Sequence, residues 1–131
     1  TTVTEPGNST ENMTAAAYDP NTQGIFLESS RGFTRNEMIK PDFAAPGVNV
    51  LGPIRGGLYT RRSGSSVATA LAAGVAVLLM EYNREYTGVQ IKNYLIRGAN
   101  REDRSYPNRE FGWGKLDIYH TLLDMRESNR L

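Results

Sequence analysis

The stretch Ser63-Gly64-Ser65-Ser66-Val67-Ala68-Thr69-Ala70-Leu71-Ala72-Ala73-Gly74 decides how this chain is read. Within it, small polar residues give way to an apolar run that continues to Met80. No proline occurs from Ser66 to about Arg84, and Ala68, Ala72, Ala73, Ala76, Leu78, Leu79 and Met80 cover nearly every side of a helix. A helix that is apolar all round is buried all round. The pattern predicts a central helix sheathed by other elements, entered through serines and leaving to solvent at Glu81, Asn83, Arg84 and Glu85.

A serine at the start of such a helix is a candidate nucleophile. A hydroxyl needs a base to take its proton and donors to stabilise an oxyanion. Amide N–H groups in the first helical turn have no intrahelical partner, and the helix dipole favours negative charge there. Ser66 has this position, Gly64 would let a substrate backbone approach, and Ala68 and Ala70 leave room around it. The plainer alternative is that Ser65 and Ser66 only cap the helix.

Upstream, the chain reads as strands and loops. Met13 to Tyr18 and Ile25-Phe26-Leu27 are short strand candidates around an Asp19–Gly24 loop. Pro41 and Pro46 make Pro41–Gly47 extended with a turn. Val48–Leu51 reads as a strand stopped by Gly52-Pro53, Gly56-Gly57 as a turn, and Leu58–Arg62 as another strand. Downstream, Thr87 and Gln90 form a capping box opening a second helix, with a stripe of Val89, Tyr94 and Leu95 flanked by Ile91 and Ile96. A polar loop from Asn100 to Arg109 leads to the turn Phe111-Gly112-Trp113-Gly114. Asp117 caps a last helix bearing Ile118, Leu122 and Met125.

Composition narrows the function. The 131 residues suit one small domain, and 15 Lys+Arg against 14 Asp+Glu leave a net charge of +1. That balance argues against binding of nucleic acid or a membrane surface through charge. Cysteine is absent and His120 is the one histidine, so no Cys-type zinc site or His-rich metal site arises from this chain. The N-terminus lacks signal-peptide features, and Val67–Met80 reads as too short and too rich in Ala and Gly to span a bilayer.

Gly64-Ser65-Ser66-Val67-Ala68 followed by Ala72-Ala73-Gly74 resembles the serine motif of the subtilisin-like (S8) serine proteases, Gly-Thr-Ser-x-Ala-x-Pro-His-x-Ala-Gly. Asp42–Val48 is similar to the family's Asp-x-x-Ala-Pro-Gly-x stretch, and Ser29–Gly32 to its Ser-Ser-x-Gly segment. Thr2–Asn8 and Met13–Tyr18 resemble the two preceding pieces, and Phe111–Asp117 the turn into the last helix. Any one piece is weak, but the ordered set covers the chain. Residues 30–34 and 40–42 are worded like the clostridial branch of germination (Csp) proteases.

The resemblance implies an α/β fold. Residues 1–131 would be the C-terminal portion of a three-layer α/β/α catalytic domain with a mostly parallel sheet and a buried central helix. It implies a serine endopeptidase in which Ser66 is the catalytic nucleophile, with Thr4, Glu5, Gly64 and Ser65 binding substrate. Thr4 and Glu5 would back the P1 pocket, where Glu5 would favour a basic or polar side chain, and the Glu5-Pro6 bond would be cis. The triad Asp and His and the oxyanion Asn precede the Thr2-Val3 segment in this family. The N-terminal part of the same protease is therefore an expected partner, alongside a peptide or protein substrate, and an isolated chain should self-associate. No cofactor is required, though a structural calcium ion is admitted, with Gly7 and Asn8 as carbonyl donors. The family favours a secreted or cell- or spore-associated location.

Three positions depart from the motif: Ser65 replaces Thr, Ala70 replaces Pro and Leu71 replaces His. Together they raise a second reading, a catalytically silent subtilase-like protein that binds or regulates another protease. An α/β-hydrolase elbow would need glycine where Ala68 stands, and Asp117 and His120 are too close in one helix to complete its triad. An N-terminal-nucleophile hydrolase would use Thr1 and require self-processing. His120, on the last helix, is not expected to act as a base.

Overall fold

The apolar run before Asp19 settles as a strand because its short side chains alternate between two buried faces. The computed structural model describes residues 2–129. Strand β1 (Ala15–Tyr18) pairs in parallel with β2 (Phe43–Pro46), with Ala15 opposite Phe43 and Tyr18 opposite Pro46. Residues 114–116 continue the sheet on the far side of β2. The Ala44 N–H donates to the Gly114 carbonyl at 2.9 Å, and the Leu116 N–H to the Ala44 carbonyl at 2.7 Å. Period-two alternation then divides the side chains. Phe43, Ala17 and Ala45 face the helical side, whereas Ala16, Tyr18 and Ala44 meet Phe111, Ile25 and Tyr106 on the other.

Helix α1 spans Ser65–Tyr82 and lays Ala68, Ala72, Ala76 and Leu79 on β1 and β2. Three alanines in that row bring the helix backbone close to the sheet. Helices α2 (Gly88–Arg97) and α3 (Ile118–Asn129) pack together. They contribute Ile91, Leu95 and Met125 to a core with Phe43 and Leu79. Both starts expected from sequence form as read. Gln90 N–H donates to Thr87 Oγ1 at 3.2 Å, Thr87 N–H donates to Gln90 Oε1 at 2.8 Å, and Asp117 Oδ1 accepts from His120 N–H at 3.0 Å.

Several expectations are corrected. The segment Ile25–Leu27 makes only one bridge, from Ile25 to Tyr18, not a strand. Strand β3 (Val50–Ile54) runs through Gly52-Pro53, where a stop was expected, and pairs antiparallel with β4 (Leu58–Arg62) around Gly56-Gly57. Proline is tolerated because this is a two-stranded ribbon with an open edge. In α2, Ile91 and Leu95 are buried while Val89 in the first turn is exposed.

Helix α1 is not covered all round. Leu71, Val77, Leu78 and Met80 are 38%, 62%, 53% and 44% exposed. The described residues supply a sheet to one face only, so the opposite apolar face stands open. At 18 residues the helix is also longer than the Val67–Met80 run, and by length and composition alone it is apolar enough to cross a membrane. Its alanine row docked on β1 and β2 is what identifies it as a core helix.

The sequence reading missed a buried charge cluster under the N-terminal loop. Lys40 Nζ lies 2.7 Å from Asp42 Oδ2, and Lys92 Nζ lies 3.5 Å from Asp42 Oδ1. Asp42 Oδ2 also accepts the Thr14 N–H at 2.8 Å. Lys40 and Lys92 donate further to the Asn12 carbonyl at 2.9 and 3.0 Å, and Lys92 to that of Thr10 at 3.0 Å. Burial pushes the Lys40 ammonium below its usual pKa, against the pull of Asp42. Elsewhere, Lys115 bonds Asp103 at 2.5 Å and holds its carboxyl at about 2, below the usual 3.8. Because Asp103 is depressed, its contribution is complete above the ordinary value and disappears as pH falls through about 2. Its exposed position keeps that contribution small.

Two outcomes follow. Asp42→Asn leaves the buried Lys40 ammonium and the partly buried Lys92 ammonium without their counter-charge and should cost roughly 3–5 kcal/mol; an unchanged thermal midpoint would contradict this. An isolated chain of residues 1–131 should self-associate through the open face of α1, and sedimentation as a stable monomer at micromolar concentration would oppose it.

Candidate active site

The end of β2 positions the start of α1. Gly47 follows β2, and its carbonyl accepts the Gly64 N–H at 2.7 Å. A Cβ at Gly47 would lie 2.5 Å from Ala17 Cβ, so only glycine lets the chain pass β1 this closely. Gly64 is the N-cap residue with φ of 149°, a conformation that disfavours any side chain. Asn49 N–H donates to Ser63 Oγ at 2.9 Å and ties the end of β4 to the approach of β3.

Ser65 and Ser66 are therefore the first two helical residues, and no side chain caps this helix. The capping alternative does not describe them. Both side chains are exposed, and among the described residues no backbone carbonyl accepts the Ser66 N–H. An exposed hydroxyl and an amide donor thus stand together at the positive end of an 18-residue helix.

The two serines open onto different depressions because they lie on different faces of α1. Ser65 and Thr69 line a recess of about 190 Å³ with Thr4, Glu5 and Ser30. Ser66, Val67, Ala70 and Leu71 line a groove of about 380 Å³ whose other wall is the β3–β4 ribbon. The structure thus brings Thr4 and Glu5 beside Ser65, with Gly64 and Ser66 adjacent in the chain. Glu5 is exposed and forms no ion pair among the described residues. The Glu5-Pro6 bond is cis, as expected. The Pro6 and Gly7 carbonyls accept from Asn12 Nδ2 and Thr14 Oγ1, each at 2.6 Å, which braces the recess wall against the Lys40–Asp42–Lys92 cluster.

The Gly7 carbonyl, one of the two expected calcium donors, accepts from Thr14 Oγ1, and no group of three His, Cys, Asp or Glu side chains able to hold a metal occurs among the described residues. His120 lies away from both depressions: its Nδ1 sits 2.6 Å from Asp117 Oδ2 in a separate hollow with Arg97 and Asp124. Asp117 and His120 thus pair with each other at the start of α3 rather than with Ser66. Leu71, which replaces the motif's His, is partly exposed on the groove. Thr1, the other weighed nucleophile, lies outside the described residues.

Sequence reasoning missed the groove itself and Arg62 on its wall. The alternation of Thr60 and Arg62 in β4 was the available signal, but their distance from the helix was not. Likewise Lys40-Pro41-Asp42 showed two charges beside a strand without showing that they were buried.

The chain is similar in sequence and fold to known proteins. The model of the subtilase family, Peptidase_S8, matches residues 1–114. Serine protease AprX of Bacillus subtilis is 31% identical over 92% of this chain and 32% of its own length. M-protease of Shouchella clausii is 43% identical over 44% of this chain and 15% of its own length. The solved CspB protease of Clostridium perfringens superposes with a TM-score of 0.86 at 31% identity, over 93% of this chain and 28% of that one. Fervidolysin of Fervidobacterium pennivorans shares the fold, with a TM-score of 0.77 at 21% identity over 91% of this chain and 20% of that one. The chain spans about a third of AprX and less of the others. Family match, ordered motifs and fold agree over nearly all of it, and the chain belongs to the subtilase family.

Proposed function

We propose that this chain is the nucleophile-bearing portion of a serine endopeptidase. Ser66 Oγ attacks the scissile carbonyl, the tetrahedral oxyanion is held in part by the Ser66 N–H, and collapse releases the amine and leaves an acyl-enzyme for water to hydrolyse. The base and its Asp partner, with the oxyanion Asn, come from an N-terminal part of the same protease, which also covers the open face of α1. The observation that carries this reading is Ser66 itself: an exposed hydroxyl and an amide without a carbonyl partner at the first turn of α1, freed from capping by Gly64. The family resemblance favours a secreted or cell- or spore-associated setting.

A second reading, a silent subtilase-like binding protein, draws on Ser65, Ala70 and Leu71, where the chain departs from the motif. The complete protease should be labelled by a fluorophosphonate, and Ser66→Ala should abolish the label. A folded protein that stays unlabelled would favour the second reading.

Within the first reading, the recess with Thr4, Glu5, Ser30 and Ser65 receives the P1 side chain. A carboxylate without an ion partner on its wall suits a basic or polar group. Glu5→Gln should lower kcat/KM for Lys or Arg at P1 by about twofold to fivefold relative to Leu, the scale of one exposed charge pair. Unchanged P1 preference would overturn the Glu5 assignment.

A further inference from the structure

The wall of the Glu5 recess is a loop whose own backbone bonds are short in range. The Asn8 N–H donates to the Thr4 carbonyl at 3.2 Å, and the Ser9 N–H to the Pro6 carbonyl at 3.0 Å. Such turns set the local curve of the loop but not where it stands against the sheet. Two side chains further along the chain reach back to it. Asn12 Nδ2 donates to the Pro6 carbonyl and Thr14 Oγ1 to the Gly7 carbonyl, each at 2.6 Å. Pro6 directly follows Glu5, so the Asn12 amide holds the backbone next to the carboxylate that lines the recess.

Asn12 is itself held by two cations. Its carbonyl accepts from Lys40 Nζ at 2.9 Å and from Lys92 Nζ at 3.0 Å, and a carbonyl oxygen has two lone pairs to give. Lys92 also donates to the Thr10 carbonyl at 3.0 Å and lies 3.5 Å from Asp42 Oδ1. It stands on α2, 80 residues further along the chain, on a helix that Ile91 and Leu95 anchor in the core. Compared with apolar packing of the same volume, a buried ion pair adds little stability, because desolvation offsets its attraction. Its contribution here is a fixed position. The core holds α2, α2 holds Lys92, Lys92 holds Asn12, and Asn12 holds the carbonyl beside Glu5.

We infer that Asn12 and Lys92 are positioning residues that fix the wall of this recess and so set how well the protease discriminates the side chain before the scissile bond. The inference rests on the reading in which Ser66 attacks a peptide and the recess takes the P1 side chain. Neither Asn12 nor Lys92 lines the recess. Both act through Pro6 and Glu5. Because they lie on one line of contacts, their effects should not add: once one link is broken, the other has less left to hold.

The test uses the complete protease and quenched fluorescent peptides that differ only in carrying Leu, Lys or Ala before the scissile bond. The readouts are the kcat/KM ratios of Leu over Ala and of Lys over Ala, which a general loss of folded enzyme does not move. Asn12→Asp keeps an oxygen within reach of Lys40 Nζ but removes the donor to Pro6. It should lower both ratios by about twofold to tenfold, the scale of one hydrogen bond. Lys92→Met should lower them in the same direction, and Lys92→Arg, which keeps the cation and its donors, should restore most of the preference. The double variant Asn12→Asp with Lys92→Met should fall short of the product of the two single effects. Ratios that stay at the wild-type value in both single variants would overturn the inference and leave the endopeptidase reading intact. So would a wild type that takes the fluorophosphonate label but does not distinguish Leu, Lys and Ala, because the recess would then not receive the P1 side chain. A folded wild type with neither labelling nor hydrolysis would overturn both.

Discussion

The hydrogen bond from the Gly64 amide to the Gly47 carbonyl joins the sheet to the central helix, and the placement of everything near Ser66 depends on it. It closes a long excursion. Between Gly47 and Gly64 the chain leaves the sheet, builds the β3–β4 ribbon and returns. Both ends of the bond need glycine, for different reasons. Gly47 passes too near Ala17 for a Cβ, and Gly64 holds a positive φ that lets α1 begin without a side-chain cap. The first helical residues are thereby free to serve chemistry.

The cost of packing falls on small side chains. Ala68, Ala72 and Ala76 against Ala17, Ala45 and Phe43 let α1 lie close on β1 and β2. The same closeness fixes the height of the helix start above the sheet. The loop behind the Glu5 recess is held differently, by Lys40 and Lys92 gathered on Asp42 and on the carbonyls of Thr10 and Asn12. One wall of the site thus depends on apolar contact and the other on buried charge. Changes in each should be felt in different ways, the first through packing and the second through electrostatics.

The chain belongs to the subtilase family and spans about a third of the length of AprX and less of the solved CspB protease. The described residues lay a sheet on one face of α1 only, so Val77 and Leu78 stand exposed on another. An apolar face of that kind calls for cover, and in the proposed reading an N-terminal part of the same protease supplies it.

The sequence alone determined the family and the helix starts. Those rest on local chemistry: the small-residue run after Ser66, the Thr87–Gln90 box and the Asp117 cap each act within a few residues. Strand limits were less legible, because a ribbon with an open edge tolerates Pro53 where a central strand would end. What tertiary structure decided was proximity. Lys40 and Asp42 are neighbours in sequence, but Lys92 joins them only because α2 packs below the N-terminal loop. Glu5 meets Ser65, and Arg62 meets Ser66, only because Gly64 is pinned to Gly47. Composition and periodicity carry no information about such long-range juxtapositions, which is why the two charges flanking Ser65 and Ser66 emerged only from the folded chain.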